Sequence, residues 1–133
     1  MLTITNQSDY GILFLSYLLD KKYYVPLSEL IKNTNLPKRF IARISAALAK
    51  HNIVKSKEGK FGGYQLTADL KKISLFEYLR IFEHDIALTK CVDASFNCPY
   101  DSICLHKNYL RHKLNRIVVK ELKKTYLSEV VNG

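Results

Sequence analysis

The sequence predicts a mainly α-helical protein that carries a single small β-hairpin. Apolar residues recur at helical spacing through most of the 133-residue chain. Two adjacent helical segments separated by a turn are followed directly by a basic hairpin with paired glycines, which is the order of a winged helix-turn-helix. A final amphipathic segment of ~20 residues would form a helix of ~30 Å, longer than a small winged domain needs.

The first predicted helix runs from Tyr10 to Leu19 and is mostly apolar. Asn6 or Ser8 is the expected N-cap, because both side chains can accept a hydrogen bond from the free N–H groups of the first turn. Asp9 lies in that turn, where a carboxylate interacts favourably with the helix dipole. The prediction is therefore an apolar helix with a polar, acidic start.

A helix-turn-helix pattern follows. Pro26 opens a short helix over residues 27–32, residues 33–35 form a turn, and Pro37 begins a longer helix over residues 38–50. The longer helix is expected to bury an apolar face and to enter the major groove of DNA. Arginine is suited to bidentate recognition of guanine, and lysine to phosphate contact. The residues predicted to contact DNA from this helix are Lys38, Arg39 and Arg43.

A basic hairpin comes next. Residues 53–56 and 64–66 are the predicted strands, and Gly62 and Gly63 allow positive φ at the bend. In this position a hairpin is a wing, whose tip reaches the minor groove while the preceding helix enters the major groove. Its lysines would add salt-dependent phosphate contacts that carry no sequence information. These lysines are Lys55, Lys57 and Lys60.

Ser74 and Glu77 match a capping box, so a fourth helix is predicted from Leu75 to about Glu83. Residues 84–104 form an irregular loop, and loops this long in a compact domain are usually functional. The helix over residues 105–124 presents an apolar stripe, which we interpret as a dimerisation surface crossing its symmetry mate. The predicted organisation is a winged helix-turn-helix DNA-binding domain at 1–83, a cysteine-bearing loop at 84–104, and a long dimerisation helix with a C-terminal tail at 105–133.

All the cysteines of the chain lie in that loop, at Cys91, Cys98 and Cys104. Their spacing contains no C-x-x-C pair, which argues against a thioredoxin-type dithiol and against paired zinc knuckles. Three thiolates in one loop can form a corner that holds a soft metal centre with a fourth ligand from elsewhere. The spacing leaves an iron–sulfur cluster and a zinc ion as close alternatives. Ordinary buried thiols or one reactive cysteine are the remaining interpretation.

The charge distribution indicates a polyanionic partner. The chain has 21 Lys and Arg against 12 Asp and Glu, a formal net charge of +9. The basic residues concentrate at 38–60 and 105–124, on either side of the cysteine loop. Nucleic acid is the usual partner of such charge, and a membrane surface is the other candidate. In the last helix, the basic residues are interpreted as solubilising charge.

The remaining sequence features exclude several classes. No apolar run approaches the ~20 residues of a spanning helix, so no membrane partner is predicted. The N-terminus lacks a signal-peptide core, which predicts a cytoplasmic protein with reduced thiols. No phosphate loop, Ser/His/Asp set or acid–base carboxylate pair stands out, so the chain is not predicted to be an enzyme. An electron carrier built on a cluster would not need two basic blocks.

Three features together resemble the Rrf2 family of bacterial winged-helix transcription regulators, the group that includes IscR, NsrR and RirA. They are the segment from Leu36 to Ile41, the wing Gly59-Lys60-Phe61-Gly62-Gly63-Tyr64, and the three downstream cysteines. The resemblance implies a homodimer with a long crossed helix, bound to a roughly palindromic operator in double-stranded DNA. It also implies one iron–sulfur cluster per subunit, 2Fe–2S or 4Fe–4S, whose state alters DNA affinity in response to iron, nitric oxide or redox stress.

The resemblance bears on the fourth ligand as well. In NsrR-type members this ligand is an acidic residue near the N-terminus of the partner subunit, and Asp9 aligns with that position. IscR uses a histidine shortly after its last cysteine; here His106 is the nearest histidine, two residues past Cys104, and His84 is a third option. At the wing, Glu58 stands where the family often carries arginine, and an acid there repels the negative potential of the minor groove.

The resemblance has two implications for how the protein would control transcription. Repression is the commoner direction for such dimers, so a cluster-controlled repressor is the expected function. With structural zinc or a cysteine thiol switch in place of the cluster, the chain would still be a winged-helix regulator, but a colourless one that is insensitive to nitric oxide.

Overall fold

The computed structural model describes residues 4–83, 86–93 and 95–133. Within these ranges the chain forms helices and a two-stranded antiparallel sheet, so the predicted class, mainly α with a small hairpin, is confirmed. A π-helical segment, Tyr109–Leu114, leads directly into α5. The regular elements in chain order are α1 (Asn6–Leu18), α2 (Leu27–Thr34), α3 (Lys38–Lys50), β1 (Val54–Lys57), β2 (Gly63–Leu66), α4 (Leu75–Phe82), α5 (Asn115–Lys124) and α6 (Leu127–Asn132).

Helix α1 begins earlier than predicted. Its N-cap is Thr5, whose side-chain oxygen accepts a hydrogen bond from the Ser8 backbone N–H at 3.4 Å. The predicted caps Asn6 and Ser8 therefore lie inside the helix, and Ser8 is fully buried. Asp9 lies in the first turn as predicted. Because threonine, asparagine and serine are all good caps, the local pattern could not decide among these positions.

Helices α2 and α3 form the predicted helix-turn-helix. Asn35 ends α2 in the left-handed conformation, with φ of 59°, and Pro37 is the N-cap of α3 rather than its first residue. The bounds of α3 are those predicted. Its apolar face is buried through Ile41, Ile44 and Leu48, which leaves the opposite face to solvent.

The hairpin is fastened to the segment that precedes α2. Its strands pair antiparallel, with Val54 opposite Leu66. Val25 and Tyr64 exchange two backbone hydrogen bonds of 2.8 and 2.9 Å, which extend the sheet by one bridge. Gly63 has φ of +147°, and a Cβ at this position would overlap the backbone of Val25. Glycine at 63 is thus required both for the bend and for the close approach of the wing to the domain.

A hydrophobic core joins α1, α2, α3, α4 and α6. The capping box of Ser74 and Glu77 is confirmed at the start of α4. Tyr78 of α4 is fully buried and donates a 2.6 Å hydrogen bond to the Ser8 carbonyl. Burial raises the pKa of Tyr78 far above its ordinary value, and the charge of Asp9 adds to the rise. The phenol therefore stays protonated and ties α4 to the start of α1.

Gly11 of α1 lies directly against Tyr78. A Cβ on Gly11 would overlap the Tyr78 hydroxyl. We therefore expect Gly11→Ala to lower the free energy of unfolding by about 1–3 kcal/mol, since overpacking outweighs the gain in helix propensity. Urea denaturation followed by circular dichroism measures the effect, with Gln7→Ala in the same helix as the control. An unchanged or raised midpoint for Gly11→Ala would contradict this contact.

The C-terminal part of the chain differs from its prediction in two respects. Residues 105 and 106 precede the helical structure, so the predicted helix over residues 105–124 starts too early. The predicted tail contains α6, whose Leu127 is fully buried and which packs against α1 and α4. An extended link between α5 and α6 pairs with the chain before α4, through a 2.8 Å hydrogen bond from Leu127 N–H to the Ile73 carbonyl.

The apolar stripe of the last helix is only partly covered by the described residues, and Leu122 is the stripe residue that packs against the core. Neither the π-helical segment nor α5 contains a buried residue, and Ile117 is 48% exposed. In the described ranges, no helix has both the length and the apolar character needed to cross a membrane. The stripe consists of Leu110, Leu114, Ile117, Val118 and Leu122.

Candidate cysteine site and DNA-binding surface

The three cysteines line one cavity of about 510 Å³, which lies between the cysteine loop and the π-helical segment. Turns in the loop bring them there: the Asp101 N–H donates to the Cys98 carbonyl at 3.2 Å, and the Cys104 N–H donates to the Tyr100 carbonyl at 3.0 Å. All three thiols are free and half-buried. The structure therefore gathers the cysteines at one place, although the first and last are far from each other along the loop.

The sulfur atoms do not meet at a common point. Among the residues that the structure describes, no group of three or more His, Cys, Asp or Glu side chains is close enough to hold a metal ion. Each end of the loop instead makes its own contact. Cys91 Sγ lies 2.9 Å from the Thr89 hydroxyl, and Cys104 Sγ lies 3.7 Å from the ring nitrogens of His106.

Basic side chains border the same cavity. Lys107 Nζ forms a 3.0 Å ion pair with Asp101, and Arg111 Nη2 lies 3.7 Å from the other oxygen of that carboxylate. The sequence had assigned Lys107 and Arg111 to solubilising charge, because a helical pattern does not show which loop a helix packs against. Their position beside three thiols makes them part of the site.

Arg111 also carries a buried donor without a partner. Its Nε is buried, and it has no hydrogen-bond acceptor within residues 4–83, 86–93 and 95–133. An unpaired buried N–H is costly, so this donor needs an acceptor that the described residues do not supply in their present arrangement. Thiolates and the sulfides of a cluster are such acceptors, and three thiolates select soft metals. The residues present therefore fit a soft, anionic metal centre.

The candidate fourth ligands occupy different places. His106 lines the cavity. Asp9 is exposed at the start of α1 and is not among the residues that line the cavity. His84 lies outside the described residues.

A hydrogen-bond network connects the start of α1 to Glu83, the residue that precedes the cysteine loop. Glu83, the C-cap of α4, accepts hydrogen bonds through Oε1 from the Ser8 hydroxyl at 2.7 Å and from the Thr5 hydroxyl at 2.8 Å. A carboxylate at this end of α1 also interacts favourably with the helix dipole. The two partners of the Thr5–Glu83 bond are 78 residues apart, which is why no local pattern in the sequence revealed it.

Removing this carboxylate should destabilise the fold. We expect Glu83→Ala to lower the free energy of unfolding by about 1–3 kcal/mol, because the fully buried Ser8 hydroxyl loses its charged acceptor. Urea denaturation provides the measurement. Glu121→Ala, at an exposed position of α5, is the matched control and should unfold as the unmodified chain does. Equal midpoints for the two variants would show that the network does not hold α1 in place.

The predicted DNA-contact residues lie on two neighbouring exposed surfaces. A groove of about 550 Å³ separates α3 from the hairpin, with Lys57 and Lys60 in its lining. Its wall on the α3 side consists of small side chains, which leaves it open: Ala42, Ser45, Ala46 and Ala49. All six predicted residues are exposed, namely Lys38, Arg39 and Arg43 on α3 and Lys55, Lys57 and Lys60 on the hairpin.

A helix-turn-helix followed by a basic hairpin defines the class, a winged-helix DNA-binding protein. A family model described as Rrf2, "Iron-dependent Transcriptional regulator", matches residues 4–133. The chain therefore belongs to the Rrf2 family of transcription regulators, as the resemblance in its sequence implied. This family consists of regulators rather than enzymes, which agrees with the predicted class.

Individual relatives are distant but cover most of the chain. The regulator NsrR of Bacillus subtilis is 25% identical over 122 residues, which are 90% of this chain and 81% of the relative. Protein aau3 of Rhizobium meliloti is 26% identical over 116 residues, 84% and 74% of the two chains. Among solved structures, CymR of B. subtilis, described as the global cysteine regulator, matches with a TM-score of 0.72 at 22% identity over 99% of this chain and 98% of that one. IscR of T. potens matches with a TM-score of 0.64 at 19% identity, over 98% and 87%. These likenesses confirm the winged-helix fold.

Proposed function

We propose that this chain is a homodimeric transcription regulator whose operator affinity is controlled by an iron–sulfur cluster, one per subunit, held by Cys91, Cys98 and Cys104. The observation that carries the proposal is the gathering of all three thiols at one cavity beside the unpaired Nε of Arg111. The description of the family as iron-dependent favours iron over zinc.

Ligation requires the three sulfur atoms to approach a common centre. Residues 95–103 are exposed apart from Cys98, so this part of the loop can close without disturbing the core. When bound, the cluster supplies a redox-active centre. Arg111 and Lys107, both paired with Asp101, would border the bound group, and Arg111 would offer its Nε–H to a sulfur atom of the site once the loop has closed.

Asp9 of the partner subunit is our first candidate for the fourth ligand, and His106 is the alternative. Asp9 is exposed, and its helix is anchored by Glu83, the residue just before the cysteine segment. A ligand from the partner would make the relative position of the two DNA-binding heads depend on the state of the cysteine site. His106 is favoured by its 3.7 Å distance from Cys104 Sγ within the same chain.

The partly exposed apolar stripe supports the homodimer. A second copy of the last helix would bury Ile117 and its neighbours, which remain partly exposed within one chain. Such a dimer presents two copies of α3 to successive major grooves, ~34 Å apart, on a roughly palindromic operator. The wing lysines contact phosphates, and the bound regulator represses transcription in the bacterial cytoplasm.

Anaerobic purification, followed by a visible spectrum and by analysis of iron, sulfide and zinc, tests the cluster. We expect a brown protein with matched iron and sulfide. Asp9→Ala and His106→Ala separate the two candidates, because loss of the true fourth ligand bleaches or shifts the spectrum. A protein made without oxygen that contains neither iron nor sulfide would contradict the proposal.

A second candidate function is a thiol switch or a structural zinc site on the same DNA-binding scaffold. The thiol switch is favoured by the separation of the sulfur atoms in this structure and by the free state of all three thiols. Stoichiometric zinc in a colourless protein would support the zinc site. Operator affinity that changes on thiol oxidation, in a protein without metal, would support the switch.

A further inference from the structure

The wing ends in an exposed aromatic side chain that the contacts proposed so far do not use. Phe61 is 80% exposed, the largest exposed fraction of any aromatic residue in the described part of the chain. It lies between Lys60 and the paired glycines of the hairpin. An aromatic ring of this size is normally sheltered from water, so its position at the tip of a DNA-binding wing points to a contact surface.

The backbone of the tip holds Phe61 outward. The Gly62 N–H donates to the Gly59 carbonyl at 3.0 Å, which closes a four-residue turn with Lys60 and Phe61 at its centre. Gly59 has φ of +104°, and a Cβ on Gly62 would overlap the Lys57 carbonyl. Glycines on both sides therefore permit the turn that leaves the ring exposed at the tip.

One cationic group lies against the ring. Lys60 Nζ is 5.7 Å from the centre of the Phe61 ring. A lysine in this position binds a phosphate at the edge of a groove. The apolar side chain beside it has the chemistry of a wedge, which proteins insert between base pairs from the minor groove.

We infer that Phe61 inserts between two base pairs in the minor groove of the operator, at a flexible pyrimidine–purine step such as TA or CA/TG. Glu58 disfavours the arginine-type readout of a narrow groove, which leaves the ring as the group that enters it. Insertion unstacks the step, and pyrimidine–purine steps unstack most easily, so the wing gains a sequence preference without a base-specific hydrogen bond. This inference rests on the proposed docking of the wing in the minor groove and does not depend on the cysteine site.

The test uses a DNA duplex that the wild-type protein selects from a random-sequence library, with 2-aminopurine placed at its pyrimidine–purine steps. Wild-type protein should raise the fluorescence of one such step on each side of the operator centre, because the inserted ring unstacks it. We expect Phe61→Ala to abolish that rise and to weaken binding about ten-fold, the effect typical of losing one aromatic–base contact. Phe61→Leu, which keeps an apolar wedge, should retain most of the rise.

Lys60→Ala is the matched control. It should weaken binding to all duplexes and reduce the salt slope by about one phosphate contact, with the fluorescence rise intact. Equal affinity and equal fluorescence for Phe61→Ala and wild type would overturn the wedge. The wedge would also be overturned if Phe61→Ala changed the self-association of the protein in sedimentation and left DNA binding unaltered, because Phe61 would then contact protein. Failure of the wild type to enrich any duplex would instead overturn the proposed DNA binding, and the wedge with it.

Discussion

Replacing Cys98 with serine is expected to remove almost all bound iron and sulfide. Cys98 is one of three thiols that line the same cavity, and a serine hydroxyl is a poor ligand for a soft metal centre at neutral pH. The variant would offer two thiolates and one further ligand, so one coordination position of the cluster would lack a protein ligand. The measurement is iron and sulfide per subunit after anaerobic reconstitution.

Asn97→Ala provides the control for this loss. Asn97 is exposed, adjoins Cys98, and is not among the residues that line the cavity, so its removal changes the loop but no ligand. The control should bind iron and sulfide at the level of the unmodified chain. Full occupancy in Cys98→Ser, with the fold intact by circular dichroism, would show that the cluster is not held at this cavity.

Arg43→Ala is expected to weaken operator binding by about 1–3 kcal/mol, which is roughly 5- to 150-fold in affinity. Arg43 is exposed on α3, four residues after Arg39 and therefore on the same helix face. A bidentate contact of arginine with guanine carries sequence information, so the loss should be larger for the operator than for unrelated DNA. Fluorescence anisotropy at a fixed salt concentration, with both duplexes, gives the two affinities.

Lys50→Ala is the matched control for Arg43→Ala. Lys50 is exposed but ends α3, and recognition helices read bases mainly with their N-terminal residues. Lys50→Ala should therefore cause a small loss of affinity that is equal for the operator and for unrelated DNA. If Arg43→Ala and Lys50→Ala lose the same affinity, and neither changes the preference for the operator over unrelated DNA, then α3 does not read bases through Arg43.

The features that the sequence predicted well are those set by neighbouring residues. Pro37 and the apolar spacing after it determine α3, and Ser74 with Glu77 determines the start of α4. The helix-turn-helix and the wing are also specified by local residues. Asn35 supplies the left-handed conformation that the turn requires, and Gly63 allows the tight bend of the hairpin. Such signals act within a few residues and can be read without the rest of the chain.

The features that the sequence did not reveal depend on distant partners. Helix α6 has only the six residues Leu127–Asn132, too few for an apolar repeat at helical spacing to be recognised, and it is held by packing on α1 and α4. The burial of Tyr78 and the hydrogen bonds of Glu83 likewise depend on residues at the opposite end of the domain. For the π-helical segment after the loop we have no explanation in local sequence.

The cysteine site likewise has one feature that the sequence predicted and others that it did not reveal. Clustering along the chain predicted that the three thiols belong together, and their gathering at one cavity agrees with that. Sequence spacing carried no information on the distances between the sulfur atoms or on the buried Nε of Arg111. These are properties of how the loop packs on the last helix, which the order of residues in the loop does not encode.

The most direct test of cluster-controlled DNA binding is the operator affinity of one anaerobic preparation, measured before and after removal of its iron and sulfide. We expect the operator affinity to change about ten-fold or more, within the range usual for coupling between two sites, and Cys98→Ser to have the affinity of the cluster-free form. Equal affinity of the two forms, at equal dimer concentration, would contradict the central claim and leave a DNA-binding regulator whose cysteines serve another purpose.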